Sequence, residues 1–226
     1  KEGFLRIVHE FPSSGLATGA LRRLVQDEVT RGGNTGARAF LTGLYVTTKE
    51  SDLGDNVLFL RAELELEAEE TPVARATLEA LVRDHPYPGF GMWDQALVRL
   101  ADLDEAAGDY EGAVTHLRVL LDRHETSLLS GSYTLPSFPP AQLRLARLFR
   151  DRLGDRAQAK REYERLLGSF PTSTLRDDAL FELGALEIED GDVRSGCARF
   201  DRLIEDFDAG RARRAALEAQ TQHCSR

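Results

Sequence analysis

The stretch Leu175–Phe207, LRDDALFELGALEIEDGDVRSGCARFDRLIEDF, predicts two helices separated by a turn at Gly191-Asp192. Apolar residues recur three and four positions apart on both sides of the turn, which is typical of amphipathic helices. A short helical hairpin cannot bury its apolar face alone, so a chain of this kind needs similar units as neighbours. The rest of the sequence should therefore repeat the pattern.

Four earlier segments of the chain repeat it, which gives about five predicted hairpins. Glycine supplies the positive φ that a reversal of direction needs, and proline suits the first turn of a helix. The predicted turns lie at Gly32-Gly33-Asn34, before Pro72, and at Gly108-Asp109, Gly154-Asp155 and Gly191-Asp192. The sequence predicts an all-α solenoid, and we expect residues 1–226 to form a single domain.

The two ends and one connection depart from the regular hairpin. Residues 4–12 resemble the end of a second helix stopped at Pro12, which predicts that the natural protein extends further towards its N-terminus. Residues 211–222, with a stripe of alanines, predict a C-terminal capping helix. Residues 128–140 contain three prolines and predict an inter-repeat loop.

Composition excludes some classes of partner. The net charge of −9 and the pI of about 5.2 would repel nucleic acid, and no stretch approaches the roughly 20 apolar residues that span a bilayer. The chain contains three lysines against 26 arginines, a bias that indicates a high-GC bacterial genome. We expect a protein or peptide partner.

The two cysteines, Cys197 and Cys224, form neither a disulfide framework nor a metal-ligand pattern. A last helix that folds back near Asp208 would bring them within about one helical turn of each other. The simpler expectation is two free thiols, with Cys197 in the core.

No motif for catalysis, cofactor or metal is present. The five histidines lack metal-ligand spacing, and His9, His85 and His124 fall near the ends of second helices, where histidine suits the helix dipole. The acidic run at residues 63–70 has the pattern of a solvated helix face. We therefore predict no enzyme activity, no cofactor and no metal.

The repeats resemble the tetratricopeptide repeat family along nearly the whole chain. With Gly184 at the eighth position of that repeat, Gly196 falls at the small twentieth position and Phe200 at the large twenty-fourth. Small residues let two helix backbones approach, and the large residue fills the space beside them. Arg147 departs from this pattern at an eighth position. The resemblance implies a right-handed α-solenoid of about five hairpins.

The spacing of 36 to 39 residues and the Phe-Pro-x-Ser endings at Phe11 and Phe170 are similar to the bacterial envelope subtype. That subtype includes the lipoprotein subunit of the outer-membrane β-barrel assembly machine and the periplasmic coordinator of the Tol-Pal system. The resemblance implies a protein-binding scaffold that is periplasmic or associated with the outer membrane, and it allows a lipid anchor upstream of Lys1.

In this family the first helices line a concave groove. The groove residues expected here carry acidic groups and a few arginines, which favours a basic or amphipathic peptide as partner. They are Arg22, Gln26, Asp55, Glu65, Gln95, Asp102, Glu105, Arg144 and Phe181. Trp93, at a helix start, and Tyr133, in the long connection, are further candidates for partner contact. Alternatively, the groove residues only solvate the array and Trp93 only staples the preceding turn.

Two other functions fit the same sequence. The chain could be a helical regulatory or interaction domain of a larger enzyme or sensor, or a cytoplasmic adaptor. The upstream reading frame would separate the first alternative from the envelope scaffold.

Overall fold

The computed structural model describes residues 1–88, 91–123 and 135–224, and every regular element in these ranges is an α-helix. The all-α fold class is thereby confirmed. The helices are α1 (Glu2–Glu10), α2 (Ala17–Thr48), α3 (Gly54–Glu67), α4 (Thr71–Asp84), α5 (Trp93–Ala107), α6 (Tyr110–Leu121), α7 (Phe138–Asp151), α8 (Arg156–Ser169), α9 (Arg176–Glu189), α10 (Val193–Asp206) and α11 (Arg211–His223). Gly33, with φ 65° and ψ −167°, breaks α2 into two helices at the predicted turn.

The chain folds as two compact units, Lys1–Val119 and Leu120–Arg226. In the first unit α1 packs on α2, α2 on α3, α3 on α4 and α4 on α5. In the second unit α7 packs on α8, α8 on α9 and α9 on α10, while α11 packs on both α9 and α10. Each unit thus consists of helical hairpins in which consecutive helices are neighbours.

Three hairpin turns use the same backbone device. A glycine with positive φ ends the first helix, and the aspartate that follows accepts a hydrogen bond from a backbone N–H three residues on, which caps the second helix. The glycines are Gly108, Gly154 and Gly191, with φ of 78°, 67° and 87°. The N–H donors to Asp109, Asp155 and Asp192 belong to Gly112, Gln158 and Ser195, at 2.9, 2.9 and 3.1 Å.

The turn between α3 and α4 uses a glutamate where the other turns use glycine. Glu69 has φ 60°, a left-handed conformation that strains any residue with a Cβ. We expect Glu69→Gly to raise the free energy of unfolding by about 1 kcal/mol, because glycine adopts this φ without strain. Urea unfolding followed by circular dichroism measures the change. Glu67→Gly, at an exposed helical position nearby, should instead destabilise; equal effects of the two variants would contradict the argument.

The close approach predicted at the small repeat positions is present in the last hairpin. A Cβ built on Gly196 would lie 2.6 Å from the carbonyl oxygen of Gly184, and one built on Gly184 would lie 2.8 Å from the Phe200 ring. Ala101 and Ala113 hold the equivalent positions of α5 and α6, and both are fully buried. The α9 and α10 backbones therefore touch where the sequence predicts.

The first helix leaves apolar side chains exposed that are buried in their later counterparts. Phe4 and Phe11 are 40% and 54% exposed, whereas Tyr163 and Phe170, which occupy the same repeat positions at α8, are 0% and 4% exposed. Val8 is the one fully buried residue of α1. The helix predicted to end before Pro12 is present, and it ends at Glu10.

Two sequence expectations need correction. The inter-repeat loop predicted for 128–140 ends earlier, because α7 begins at Phe138 and has Pro139 and Pro140 in its first turn, where a missing N–H costs nothing. The two cysteines were expected as free thiols, but Cys197 and Cys224 form a disulfide with a Cα–Cα distance of 5.8 Å. The packing of α11 on α10 brings them together.

His85 lies at the end of α4, as predicted, and its side chain is buried. Its Nε2 atom lies 3.1 Å from the Tyr45 hydroxyl. Burial lowers the pKa of His85 from its ordinary value of 6.5, although the charges of Asp55, Asp84 and Glu50 act in the opposite direction. The folded state therefore favours the neutral imidazole.

This burial predicts a pH dependence of stability. Since the folded pKa of His85 lies below the unfolded one, its contribution is complete above about pH 6.5 and is lost as the pH falls below that value. We expect His85→Phe, which introduces the residue type found at Phe170 of the later hairpin, to become more stable relative to the wild type as the pH falls from 7.5 to 5. Thermal unfolding at both pH values measures this difference, and an unchanged difference would contradict the argument.

Candidate protein-binding faces

The first helices of successive hairpins lie side by side in the first unit. Arg99 of α5 donates from Nε and Nη2 to the Glu63 carboxylate of α3, at 2.8 and 2.5 Å. Asp102, one turn further along α5, lies 3.5 Å from Arg99 Nη1. Burial is partial, because the side chains of Arg99, Glu63 and Asp102 are 37%, 30% and 40% exposed. We call this surface of α3 and α5 the α3–α5 face.

The α3–α5 face combines charge with apolar area. Leu60 on α3 and Val98 on α5 are half-buried, and Glu105 lies one turn beyond Asp102 along α5. Glu63, Asp102 and Glu105 thus supply three carboxylates to this face. A face of this composition is suited to a basic segment with some apolar side chains.

Three of the remaining groove candidates of the first unit are exposed. Arg22 and Gln26 are exposed on the first half of α2, and Gln95 is exposed on the first turn of α5. Their contact with a partner stays a prediction.

Asp55 and Glu65 are fully buried and hold the fold together. Asp55 Oδ2 accepts a hydrogen bond of 2.7 Å from the backbone N–H of Met92. Glu65 accepts hydrogen bonds from Arg61 Nε at 2.7 Å and from Thr77 Oγ1 at 2.6 Å. Both carboxylates are therefore engaged inside the first unit and present no surface to a partner in this conformation.

Trp93 is also buried, at 3% exposure, and its ring lies 5.8 Å from that of Tyr87 in the preceding turn. This contact is the stapling role considered for it in the sequence. Tyr133, the other aromatic candidate, lies outside the described residues.

The second unit has a corresponding surface on α7 and α9. Arg144 on α7 is half-buried, and Phe181 on α9 is half-buried and stacks on Phe200, with ring centroids 5.8 Å apart. Arg147 lies between them and reaches from α7 to Asp178 at 3.7 Å. We call this surface the α7–α9 face.

A charge network joins α7, α8 and α9 beside this face. Glu182 accepts hydrogen bonds from Arg147 Nη2 at 2.5 Å, from Arg150 Nη1 at 2.8 Å and from the Tyr163 hydroxyl at 2.7 Å. Burial alone would raise the pKa of Glu182, but the hydrogen bonds from Arg147 and Tyr163 outweigh it and lower the pKa. Glu182 is therefore ionised and has a structural role. The long side chain of Arg147, at a repeat position where a small residue is expected, is explained by its contact with α9.

Two ion pairs, Glu63–Arg99 and Arg147–Glu182, were not predicted from the sequence. Each pair is separated by about one repeat, 36 and 35 residues respectively. The signal that could have found them is an opposite charge one repeat away on successive first helices. Residue types taken one hairpin at a time do not contain that information.

Comparison with known sequences explains the architecture. A tetratricopeptide repeat model matches residues 95–127 and 140–173, the segments of α5 with α6 and of α7 with α8. These two segments are similar to tetratricopeptide repeats. No curated protein matches the chain in sequence.

Several solved structures resemble most of the chain in fold. BtubC (BKLC) from P. vanneervenii is 17% identical, with 90% of this chain and 85% of that one covered and a TM-score of 0.62. YrrB, described as a TPR protein with an unusual peptide-binding site, is 11% identical over 96% and 97% of the two chains, with a TM-score of 0.54. MamA 41-end from Desulfovibrio magneticus RS-1 is 13% identical over 83% and 93%, with a TM-score of 0.51. At these identities the similarity concerns the fold alone.

Tetratricopeptide repeats generally act as non-catalytic modules that bind proteins or peptides. Within the described ranges, no three His, Cys, Asp or Glu side chains are grouped so that they could hold a metal ion. None of the described helices combines the length and apolar content that crossing a membrane requires.

Proposed function

We propose that this chain is a non-catalytic scaffold of a bacterial envelope assembly that binds a basic or amphipathic segment of a partner protein on its α3–α5 face. The observation that carries the proposal is the acidic character of that face, where Glu63 and Asp102 pair with Arg99 and Glu105 follows one turn beyond Asp102. Acidic groups attract and orient a basic ligand, while partly buried leucine and valine supply apolar contact.

The disulfide supports the envelope setting. Disulfides persist in oxidising compartments such as the bacterial periplasm and are rare in the cytosol. Cys197 and Cys224 are bonded in a chain that contains two cysteines in total. The similarity of the Phe-Pro-x-Ser endings to the envelope subtype of the repeat points the same way.

Binding to an array of basic and acidic peptides tests the choice of ligand. We expect arginine-rich amphipathic peptides to bind, and we expect Asp102→Arg to weaken their binding at least about tenfold, since like charges across an interface cost several kcal/mol. Glu79→Arg is the matched control, because it makes the same charge change at an exposed site on α4, a second helix. Equal binding by both variants would overturn the assignment of the α3–α5 face.

The compartment has a separate test. Alkylating the protein in intact bacterial cells and running it without reductant distinguishes a bonded from a reduced cysteine pair. A bonded pair, with the protein recovered in the periplasmic fraction, supports the envelope setting. A fully reduced pair in the cytosolic fraction contradicts the envelope setting. That result does not bear on the binding proposal, which the peptide array tests separately.

A further inference from the structure

The capping helix α11 is attached to the second unit by little apolar surface. Its two buried residues are Ala212 and Ala216, and its one large aliphatic side chain, Leu217, is 37% exposed. An alanine methyl buries far less area than leucine or phenylalanine, so its burial contributes correspondingly less stability. Gln220 adds a side-chain hydrogen bond to Asp201 on α10. The Cys197–Cys224 disulfide is a covalent tie between α11 and α10.

This disulfide is accessible from solvent. Both cysteines are half-buried, and both line an open groove between the first half of α10 and the end of α11. The other residues lining the groove are Val193, Arg194, Ala198, Asp201, Gln222 and His223. A reductant can therefore approach the sulfurs while the hairpins stay folded.

The surroundings of Cys197 favour its departure as a thiolate. Cys197 is the fifth residue of α10, and Arg194 lies one turn before it and lines the same groove. Positive charge stabilises a cysteine thiolate, and a better leaving thiolate accelerates exchange. Asp201 also lines the groove and acts in the opposite direction, so the sum of these charges sets the rate.

We propose that Cys197–Cys224 is a thiol–disulfide exchange site for a dithiol reductant, and that its reduction releases α11 from α9 and α10. A reductant thiolate attacks Cys224 Sγ, the Cys197–Cys224 bond breaks, and Cys197 leaves as a thiolate that takes a proton from water. The second reductant thiol then attacks the mixed disulfide. Two protein thiols and one oxidised reductant result, with two electrons transferred.

Release follows from the balance of contacts on α11. Without the bond, noncovalent contacts alone, among them those of Ala212, Ala216 and Gln220, must offset the conformational entropy that thirteen helical residues regain on undocking. The helix should then exchange between docked and open positions, which exposes the surface of α9 and α10 beneath it. The bonded state keeps that surface covered.

Reduction kinetics and hydrogen exchange test the proposal on the full chain. Dithiothreitol is the probe, and trapped thiols are counted by mass after alkylation. We expect reduction at least about tenfold faster than global unfolding, and amide exchange of residues 211–223 at least about tenfold faster after reduction, with α7 and α8 unchanged. The double variant Cys197→Ser, Cys224→Ser should reproduce the reduced exchange pattern without reductant.

The electrostatic step has its own control. Arg194→Ala should slow reduction about threefold, because the leaving thiolate loses a positive neighbour. Arg214→Ala, at an exposed site on α11 that does not line the groove, should leave the rate unchanged. Reduction that occurs only at the rate of global unfolding, or exchange of α11 that is unaffected by reduction, would overturn the proposal. Peptide binding on the α3–α5 face does not enter these measurements.

Discussion

Gly196→Val should lower the free energy of unfolding of the second unit by about 3 kcal/mol or more, since overpacking against backbone cannot be relieved by a rotamer change. The added Cβ would lie 2.5 Å from Ile188 Cγ1 and 2.6 Å from the carbonyl oxygen of Gly184. Ile188 can move to some extent, but the carbonyl belongs to the α9 helix backbone. The two helices must separate, which opens the contact between Gly184 and Phe200.

Chemical denaturation, followed by the circular dichroism of the whole chain and by hydrogen exchange of α9 and α10, measures this loss. Gly168→Ala is the matched control, because Gly168 lies in α8 of the same unit and a Cβ there has no neighbour within 4 Å. Alanine at that site should be neutral or stabilise by up to about 1 kcal/mol through its helix propensity. A neutral Gly196→Val would show that the α9–α10 contact is looser than described.

Glu182→Ala should cost about 3 kcal/mol, because it removes the carboxylate that three buried or half-buried donors share. Arg147 and Arg150 would keep their positive charges close together, and the Tyr163 hydroxyl would lose its acceptor within the core. Tyr163 itself is fully buried, so water cannot easily replace the lost partner.

The pH dependence of this loss identifies its electrostatic origin. The folded pKa of Glu182 is lowered, so its stabilising contribution is complete above its unfolded pKa and is lost as the pH falls through the folded value. The difference between wild type and Glu182→Ala in urea unfolding should therefore shrink below about pH 4. Glu189→Ala is the control: Glu189 is 63% exposed and pairs with Arg156, so its loss should cost at most about 1 kcal/mol. Similar costs for the two variants would contradict a special role for Glu182.

The helices and turns could be predicted because their causes are local. A glycine with positive φ followed by a capping aspartate occupies four or five consecutive residues, and the apolar spacing of each helix is visible within two turns. The small positions at Gly184 and Gly196 were also predictable, since the repeat sets their spacing. The turn at Glu69 is the exception, because its backbone has a positive φ, as in the other turns, although no glycine is present there.

The candidate sites were harder to predict because burial depends on partners far along the chain. Asp55 was expected in a groove, yet its acceptor atom is satisfied by an N–H 37 residues away. Glu65 was also expected in the groove, yet Thr77 of the following helix donates a hydrogen bond to its carboxylate in the interior. The sequence left the disulfide open beside two free thiols for the same reason, since the bond depends on how far α11 runs before Cys224.

The hydrogen bond from Met92 to Asp55 makes two hairpins mechanically dependent on each other. Asp55 belongs to the first turn of α3, and Met92 is the N-cap residue that precedes α5. If the start of either helix opens, the Asp55 carboxylate or the Met92 N–H is left in the interior without its hydrogen-bond partner. The free-energy cost of that lost hydrogen bond applies to both hairpins. The segment from α3 to α5 should consequently melt as one cooperative block, although a linear array has only neighbours to hold each part in place.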